Sequence, residues 1–569
     1  MRKAVFAVPA AAVALAFAGC GDEDSDDLSG PASVMPAGAP VYFEFSVRPE
    51  GEQAENLDAL LAELGELPLL GEVGDPGDLI IQQLESQASA AGVDFSYAED
   101  VEPWLGEKAG FSVSSTDDAE ESFVAAVETT DDDQAFESVQ NLLAAEDSVP
   151  YEEGEYEGVT YLAAPEDQYR LGAFGGHLVL APADDFEAAV DASEGDSLAS
   201  SDKLASSLGN LGDEGLATLF VDLAQYEAFA TSPEDAEEYA QAQAVVPELF
   251  EGGIAVSAGV SASDQVYIDY SVPLLEGQPE TVESALLGTA PGDSLGATAI
   301  ADVGAYVGPI VDIFERAQEE GVELEDFPEE GIAAAFESET GVSLDDAAGA
   351  IGDLSLWVRG DLPDGIEVAG EIETSDPETA AELIELAEAK AREEGDAKIG
   401  PPVGGSDVGF SALEDTSFDE IAGFSDDTDC IAATSDDGCV QPPDDVGSTH
   451  ADLPFANIEL DGDVIRYGFF RDEDAAAASD PDSAGDFSET EAYASGQEAL
   501  GDDFEYIGVI DLAPILDEFV GGLDVTDALG GSPEDLAGPF LAGKLGVVAF
   551  GQRFEDDTSI SRYVVKLAE

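Results

Sequence analysis

Residues Ala126–Ala135 read Ala-Val-Glu-Thr-Thr-Asp-Asp-Asp-Gln-Ala, and residues Glu371–Ala380 read Glu-Ile-Glu-Thr-Ser-Asp-Pro-Glu-Thr-Ala. The shared register is Glu128/Glu373, Thr129/Thr374, Asp131/Asp376 and Ala135/Ala380. Each stretch reads as a strand that ends at an Asp suited to cap the amphipathic helix after it. Those helices are expected over Asp132–Ala145 and Pro377–Glu393. Pro377 falls at the first helical position, where a missing N–H costs little. The pair is a weak internal repeat, and the rest of the chain arranges itself around it.

Further matches follow in order. Leu105-Gly106 with Phe111 corresponds to Ile351-Gly352 with Trp357. Leu204-Ala205-Ser206 through Leu223 corresponds to Tyr493-Ala494-Ser495 through Leu512. Each copy then closes with a hairpin, Gly253–Val260 with Gln265–Val272 and Lys544–Gly551 with Ser559–Leu567. The alternation in Val266-Tyr267-Ile268-Asp269-Tyr270 marks strand. The separation between matched residues widens late in the chain, so the second copy carries an insert. Gly, Pro and Asp crowd the same region, including Pro401-Pro402, Asp426-Asp427 and Pro442-Pro443, which predicts a loop near 400–450. Strands at hairpin spacing, interleaved with helices, give an α+β fold. The expected organisation is two tandem, internally duplicated modules with largely antiparallel sheets and packed helices. They span residues 31–273 and 292–569, joined by a linker at 274–291.

The chain has 569 residues with 17 Lys plus Arg against 128 Asp plus Glu, a formal charge of −111. Its apolar share of 44% still matches a globular protein, so wholesale disorder is not expected. Nucleic acid is excluded as a partner, because no basic cluster longer than Arg2-Lys3 exists to displace phosphate counterions. The acidity is spread over the whole length. This fits halophilic adaptation, since molar salt cuts the Debye length to about 3 Å and removes most self-repulsion. A dedicated cation-binding surface is the rival reading.

The first twenty residues, MRKAVFAVPAAAVALAFAGC, carry a basic start, an apolar stretch too short to span a bilayer, and a small pair before Cys20. The ending Phe17-Ala18-Gly19-Cys20 resembles the lipobox of bacterial lipoproteins, with Phe17 in place of the usual Leu. The resemblance implies removal of residues 1–19, lipidation of Cys20 and anchorage in the bilayer on the extracytoplasmic face. Residues 20–30 then form an acidic tether. The other two cysteines, Cys430 and Cys439, flank a turn-rich octet. In an oxidising exterior they are expected to form a disulfide, contributing roughly 2–3 kcal/mol by loop closure.

Several motifs tempt toward chemistry. Gly292-Asp293-Ser294-Leu295-Gly296 satisfies GxSxG, and Gly195-Asp196-Ser197-Leu198 shares its first four residues. A nucleophilic Ser needs a base, and only His177 and His450 exist. Neither has a suitable context, and His177 reads as a strand-end residue. Gly538–Lys544 has the GxxxxGK spacing but is followed by Leu545, which lacks the hydroxyl a phosphate loop needs. Asp480, Asp482 and Glu491 partly match a calcium loop, but Ala484 cannot ligate. They are a weak calcium candidate in a chain this acidic. No catalytic residue, resident metal or cofactor is expected. Trp104 and Trp357 read as core residues.

Other features carry a resemblance over most of the mature chain. These are Pro31, Pro36 and Pro40 before a first strand, Pro103-Trp104-Leu105-Gly106-Glu107-Lys108-Ala109-Gly110, Tyr156-Glu157-Gly158-Val159, and Gly195-Asp196-Ser197-Leu198-Ala199. Together they resemble bacterial extracytoplasmic proteins carrying domain of unknown function 3352. The resemblance implies no activity and no catalytic residues. The expected role is non-catalytic: binding, scaffolding or envelope maintenance, with an unknown envelope protein or solute as partner. Alternatives are a solute-binding lipoprotein of a transport system and an unrecognised carboxylate-dependent hydrolase.

Overall fold

The structure, a computed structural model, describes residues 30–65, 81–82, 85–86, 89, 95–113, 122–145, 151–165, 168–211, 215–225, 233–322, 328, 331–360, 367–394, 397–403, 406, 408–414, 455–470, 485–514, 545–555 and 557–568. Cys20, Cys430, Cys439, Asp480, Asp482, His450 and Gly538–Lys544 lie outside the described residues. The fold is mixed α+β with large antiparallel sheets. It divides into two units. Unit 1 runs through Glu276 and also takes Glu319–Val322 and Phe554–Tyr563. Unit 2 comprises Gly277–Gln318, Glu323–Arg553 and Val564–Glu569.

Unit 1 holds β1 (Val41–Ser46), β2 (Leu105–Val113), β3 (Phe123–Thr129), β4 (Glu152–Tyr156), β5 (Val159–Ala163), β6 (Tyr169–Phe174), β7 (His177–Pro182), β8 (Ala217–Val221), β9 (Ile254–Ala262) and β10 (Gln265–Pro273). Its helices include α1 (Gly51–Gly65), α2 (Asp132–Ala145), α3 (Ala183–Glu194) and α4 (Asp202–Gly209). The strand order is β4-β5-β6-β7-β3-β2-β1-β8-β9-β10, antiparallel throughout. On one sheet face, Tyr42, Val124, Ala126, Val179, Ala181 and Phe220 pack with Phe186, Ala189 and Val190 of α3 and Leu204 of α4. On the other, Ala109 and Leu162 pack with Ala135, Val139 and Leu143 of α2 and with Trp104. As expected, Trp104 is a core residue, and its indole N–H donates to the Asp100 carbonyl at 2.6 Å.

Unit 2 holds β11 (Ser294–Ile300), β12 (Ile351–Arg359), β13 (Glu367–Thr374), β14 (Ala397–Gly400), β15 (Val408–Glu414), β16 (Phe455–Asp461), β17 (Val464–Phe470), β18 (Glu505–Asp511), β19 (Leu545–Glu555) and β20 (Thr558–Leu567), the last shared out residue by residue as above. Its helices include α5 (Val307–Glu319), α6 (Leu344–Ala350), α7 (Pro377–Glu394) and α8 (Glu491–Leu500). The order is β14-β15-β16-β17-β13-β12-β11-β18-β19-β20.

The two quoted stretches behave as read. The Asp131 carboxylate accepts the Gln134 N–H at 3.0 Å. Asp376 accepts the Glu378 and Thr379 N–H groups at 3.1 and 3.2 Å. Such caps stabilise a helix by about 0.5–2 kcal/mol each. The Thr379 hydrogen bonds also hold the Asp376 carboxyl below the usual range.

One boundary needs correction. The loop expected near 400–450 starts later, because residues 408–414 form β15, paired with β14 and β16. Gly and Pro masked an apolar alternation there: Val408 and Phe410 pack against Ile384 and Leu460. Residues 415–454 lie outside the description.

Among the described residues no helix is long and apolar enough to cross a membrane. One close approach in unit 2 gives a direct test of the packing. A Cβ on Gly304 would lie 1.9 Å from the Ala348 carbonyl oxygen and 2.6 Å from that of Ile351. Backbone oxygens cannot rotate away as a side chain can. Gly304→Ala is therefore expected to exceed the roughly 1–3 kcal/mol of ordinary overpacking. Denaturant unfolding followed by Trp357 fluorescence measures it, and an unchanged midpoint would refute that packing.

Candidate functional site

Strand β12 runs Ile351-Gly-Asp-Leu-Ser-Leu-Trp-Val-Arg359, and alternation sends Ser355, Trp357 and Arg359 to one face. The register then sets a row across four strands. Ser355 lies opposite Glu371 on β13, Glu371 opposite Arg466 on β17, and Arg466 opposite Glu459 on β16. Adjacent strands lie about 4.8 Å apart, so the row is about 14 Å long. The next row on the same face is Trp357, Ala369, Gly468 and Asn457. Its middle is built from small residues, and the Phe470 ring leans over Gly468.

Arg466 organises the row. Its Nε donates to Glu371 Oε1 at 2.9 Å, and its Nη1 donates to Asp461 Oδ2 at 3.1 Å. Glu371 is buried, whereas Arg466 is partly open to solvent and Asp461 is exposed. A buried pair of this kind is weak evidence of stability, because desolvation offsets much of the Coulomb gain. Behind the row, Tyr467 donates to the Ser355 carbonyl at 3.1 Å, and burial pushes its phenol up to about 12.

Three groups in this region are buried and unspent. Ser355 is 0% exposed, Trp357 3% and Glu459 7%. Ser355 Oγ, Trp357 Nε1 and Glu459 Oε2 make no hydrogen bond. Buried polar groups without partners cost about 1–3 kcal/mol each, and these are three of the twelve such atoms among the described residues. Trp357 is a core residue as expected, and its N–H has no acceptor. The arrangement can receive hydrogen bonds at Glu459 and give them from Trp357 and Ser355. It does not assemble an activated nucleophile, since Ser355 Oγ has no base bonded to it.

In unit 1 the middle of the face covered by α3 is apolar instead. Gly110, Ala126, Val179 and Gly172 stand opposite one another there, and a Cβ on Gly172 would lie 2.8 Å from the Phe186 ring.

The sequence motifs settle elsewhere. Ser294 is the first residue of β11, not a strand-to-helix elbow, and its N–H donates to the Pro291 carbonyl. Ser197 is buried in a backbone bridge with Pro36. His177 opens β7 as expected, its Nδ1 2.8 Å from the Gly175 carbonyl, and burial lowers its pKa. Glu491 begins α8 behind its Thr490 cap. No group of three or more metal-ligating side chains occurs among the described residues. Ser355, Glu371, Arg466 and Glu459 were not singled out in the sequence. The available signal was Glu371 standing where Ala126 stands in the first quoted stretch.

A family model described as a protein of unknown function (DUF3352) matches residues 4–399. That span covers the part of unit 1 up to Glu276 and the chain into β14, and it leaves Arg466, Glu459 and the Phe554–Tyr563 part of unit 1 outside. No curated protein matches the chain, and no solved structure matches it.

Proposed function

The chain belongs to the DUF3352 family, whose function is unknown, and from that premise we propose a membrane-anchored, extracytoplasmic lipoprotein with a non-catalytic binding role. The observation that carries the binding role is the buried row in unit 2 with its unspent donors and acceptor. A group that folding leaves unpaired is stabilised by a ligand that pairs it. This favours solute binding over a purely scaffolding role in the envelope.

The two units are copies of one module. Their strand orders coincide when each strand of unit 1 is matched to the one ten places later. Both second strands bulge against the third at the same place, Leu105/Ala109 and Ile351/Leu354. In both modules a proline ahead of the first strand is bridged to a residue between the seventh and eighth strands, Pro36 to Ser197 and Pro291 to Asp486. One copy kept an apolar face and the other acquired the polar row. Duplication followed by divergence of one site fits a structural module beside a binding module.

Anchorage rests on the lipobox-like ending at Cys20. A tether from Cys20 to Gly30 spans at most about 35 Å when extended, which sets how far unit 1 can stand from the bilayer. Cys20→Ser is expected to move the protein from the detergent-rich to the aqueous phase in detergent phase partitioning. A Cys20→Ser chain that stays in the detergent phase would sink the anchor. Outside the cell, a Cys430–Cys439 disulfide and salt adaptation through the acidic surface complete the reading.

A further inference from the structure

We propose that the open face of the unit 1 sheet is where a second copy of this chain docks, sheet against sheet. Eight large hydrophobic side chains are exposed among the described residues, and six of them share this face: Phe43, Phe111, Val266, Ile268, Tyr270 and Tyr563. Strand pairing brings them together. Phe111 lies opposite Phe43, Phe43 opposite Leu219, Leu219 opposite Val256, and Val256 opposite Tyr270. The Tyr270 ring then meets the Tyr563 ring at 5.8 Å. Alternation along β10 turns Val266 and Ile268 to the same side. Helix α2 packs on this side of the sheet over β6 and β7, away from all six.

The face is also uncharged. Val41, Val221 and Ile254 flank the central row on one side, and Phe45, Ala217 and Ala258 flank it on the other. None of these carries charge, in a chain where 25% of residues do. Unit 2 does not repeat the pattern. Thr298 stands where Phe43 does, with Leu356 and Gly508 opposite it. The open patch crosses six strands from β2 to β20, about 24 Å, and runs about 20 Å along them. Two such footprints of roughly 500 Å² give about 1,000 Å², the least a specific interface needs. Charge then selects the occupant. A basic partner would find no carboxylate here to pair with, and an anionic lipid surface would meet a formal charge of −111. A second copy brings the same uncharged surface by two-fold symmetry. Sheets pack face to face about 10 Å apart through such side chains. A Cβ on Gly110 would lie 2.6 Å from Pro31 on the opposite face, so the start of unit 1 stays out of the interface. The acidity around the patch repels, so docking should need salt.

The test uses the full chain with Cys20→Ser, so that no acyl chain holds copies together, and reads mass by sedimentation at micromolar concentrations. The expected result is a reversible rise from one chain to two in 2 M NaCl, and a single chain at 0.1 M. Phe43→Lys and Tyr270→Lys should each weaken the dimer at least about 10-fold, because each buries a charge. Ile510→Lys, an exposed position of unit 2, should leave it unchanged. In 0.1 M NaCl, Phe43→Lys should lower the melting temperature by less than about 10 °C, since the side chain is already open in one copy. A larger fall would mean that the face is covered within one chain, and would overturn the proposal. A single chain at every concentration in 2 M NaCl would overturn it too, as would a dimer that Phe43→Lys and Tyr270→Lys leave intact. Binding of a single chain to phosphatidylcholine vesicles, lost in Phe43→Lys, would assign the face to lipid instead of a second copy.

Discussion

Asp269→Ala is expected to destabilise unit 1 by about 3–5 kcal/mol, the cost of breaking a buried ion pair from one side. Asp269 is 0% exposed and faces Arg562 from the other end of the chain. The guanidinium donates from Nε to Oδ1 at 2.7 Å and from Nη2 to Oδ2 at 2.5 Å. The same guanidinium lies 4.8 Å from the centroid of the Tyr267 ring, and Tyr270 meets Tyr563 edge-on at 5.8 Å. Nearby, Leu274 N–H donates to the Asp557 carbonyl at 2.8 Å. Residues 558–563 thus complete the unit 1 sheet beside β10. Removing the carboxylate takes a two-pronged counter-charge away from a largely buried guanidinium. Replacing both partners by apolar residues, Asp269→Leu with Arg562→Met, should cost far less, since neither charge is then stranded. The chain offers a clean readout: its two tryptophans are Trp104 in unit 1 and Trp357 in unit 2. Denaturant unfolding of a Trp357→Phe background reports unit 1. A midpoint unmoved by Asp269→Ala would refute the closure of unit 1 by its distant strand.

The melting temperature of the whole chain should climb by at least about 10 °C between 0.1 and 2 M NaCl. For units of this size a degree or two corresponds to roughly 0.5 kcal/mol, so this rise is about 3–5 kcal/mol. The reason is the imbalance of 128 acidic against 17 basic residues. Few carboxylates can find a cation, as Glu44 does with Lys108 at 3.2 Å. The remaining repulsion acts over a Debye length of about 10 Å at 0.1 M and about 3 Å at 1 M. Millimolar Ca²⁺ at matched ionic strength should add nothing. A flat salt response would refute salt adaptation, and a saturable calcium step would point to Asp480, Asp482 and Glu491.

Much of this architecture was legible in the residues. The Asp131 and Asp376 caps, the helices after them and the closing hairpins were readable because each rests on local rules, a cap, a period or a turn. The insert was misplaced at its start because Pro401-Pro402, just ahead of β15, looked like a loop signal. Inside β15, Gly409 takes a φ of +146°, which its lack of a Cβ permits, and a Cβ there would run into Glu459 and the Ile458 carbonyl. The candidate site was not legible. Ser355, Glu371, Arg466 and Glu459 are ordinary residues in a chain this acidic, and only register places them side by side.

By itself, the sequence determined the fold class and the family resemblance, and it set the expectations of a lipidated N-terminus and of no nucleic-acid partner. Each of these depends on composition or on neighbours within a turn or two of chain. Only the tertiary structure decided that strand 558–563 lies against β10, that Arg466 is shared by Glu371 and Asp461, and that Trp357 Nε1 and Glu459 Oε2 are buried without a hydrogen bond. Those facts arise from strand pairing across tens to hundreds of residues, where a one-residue slip would turn every one of these side chains to the opposite face.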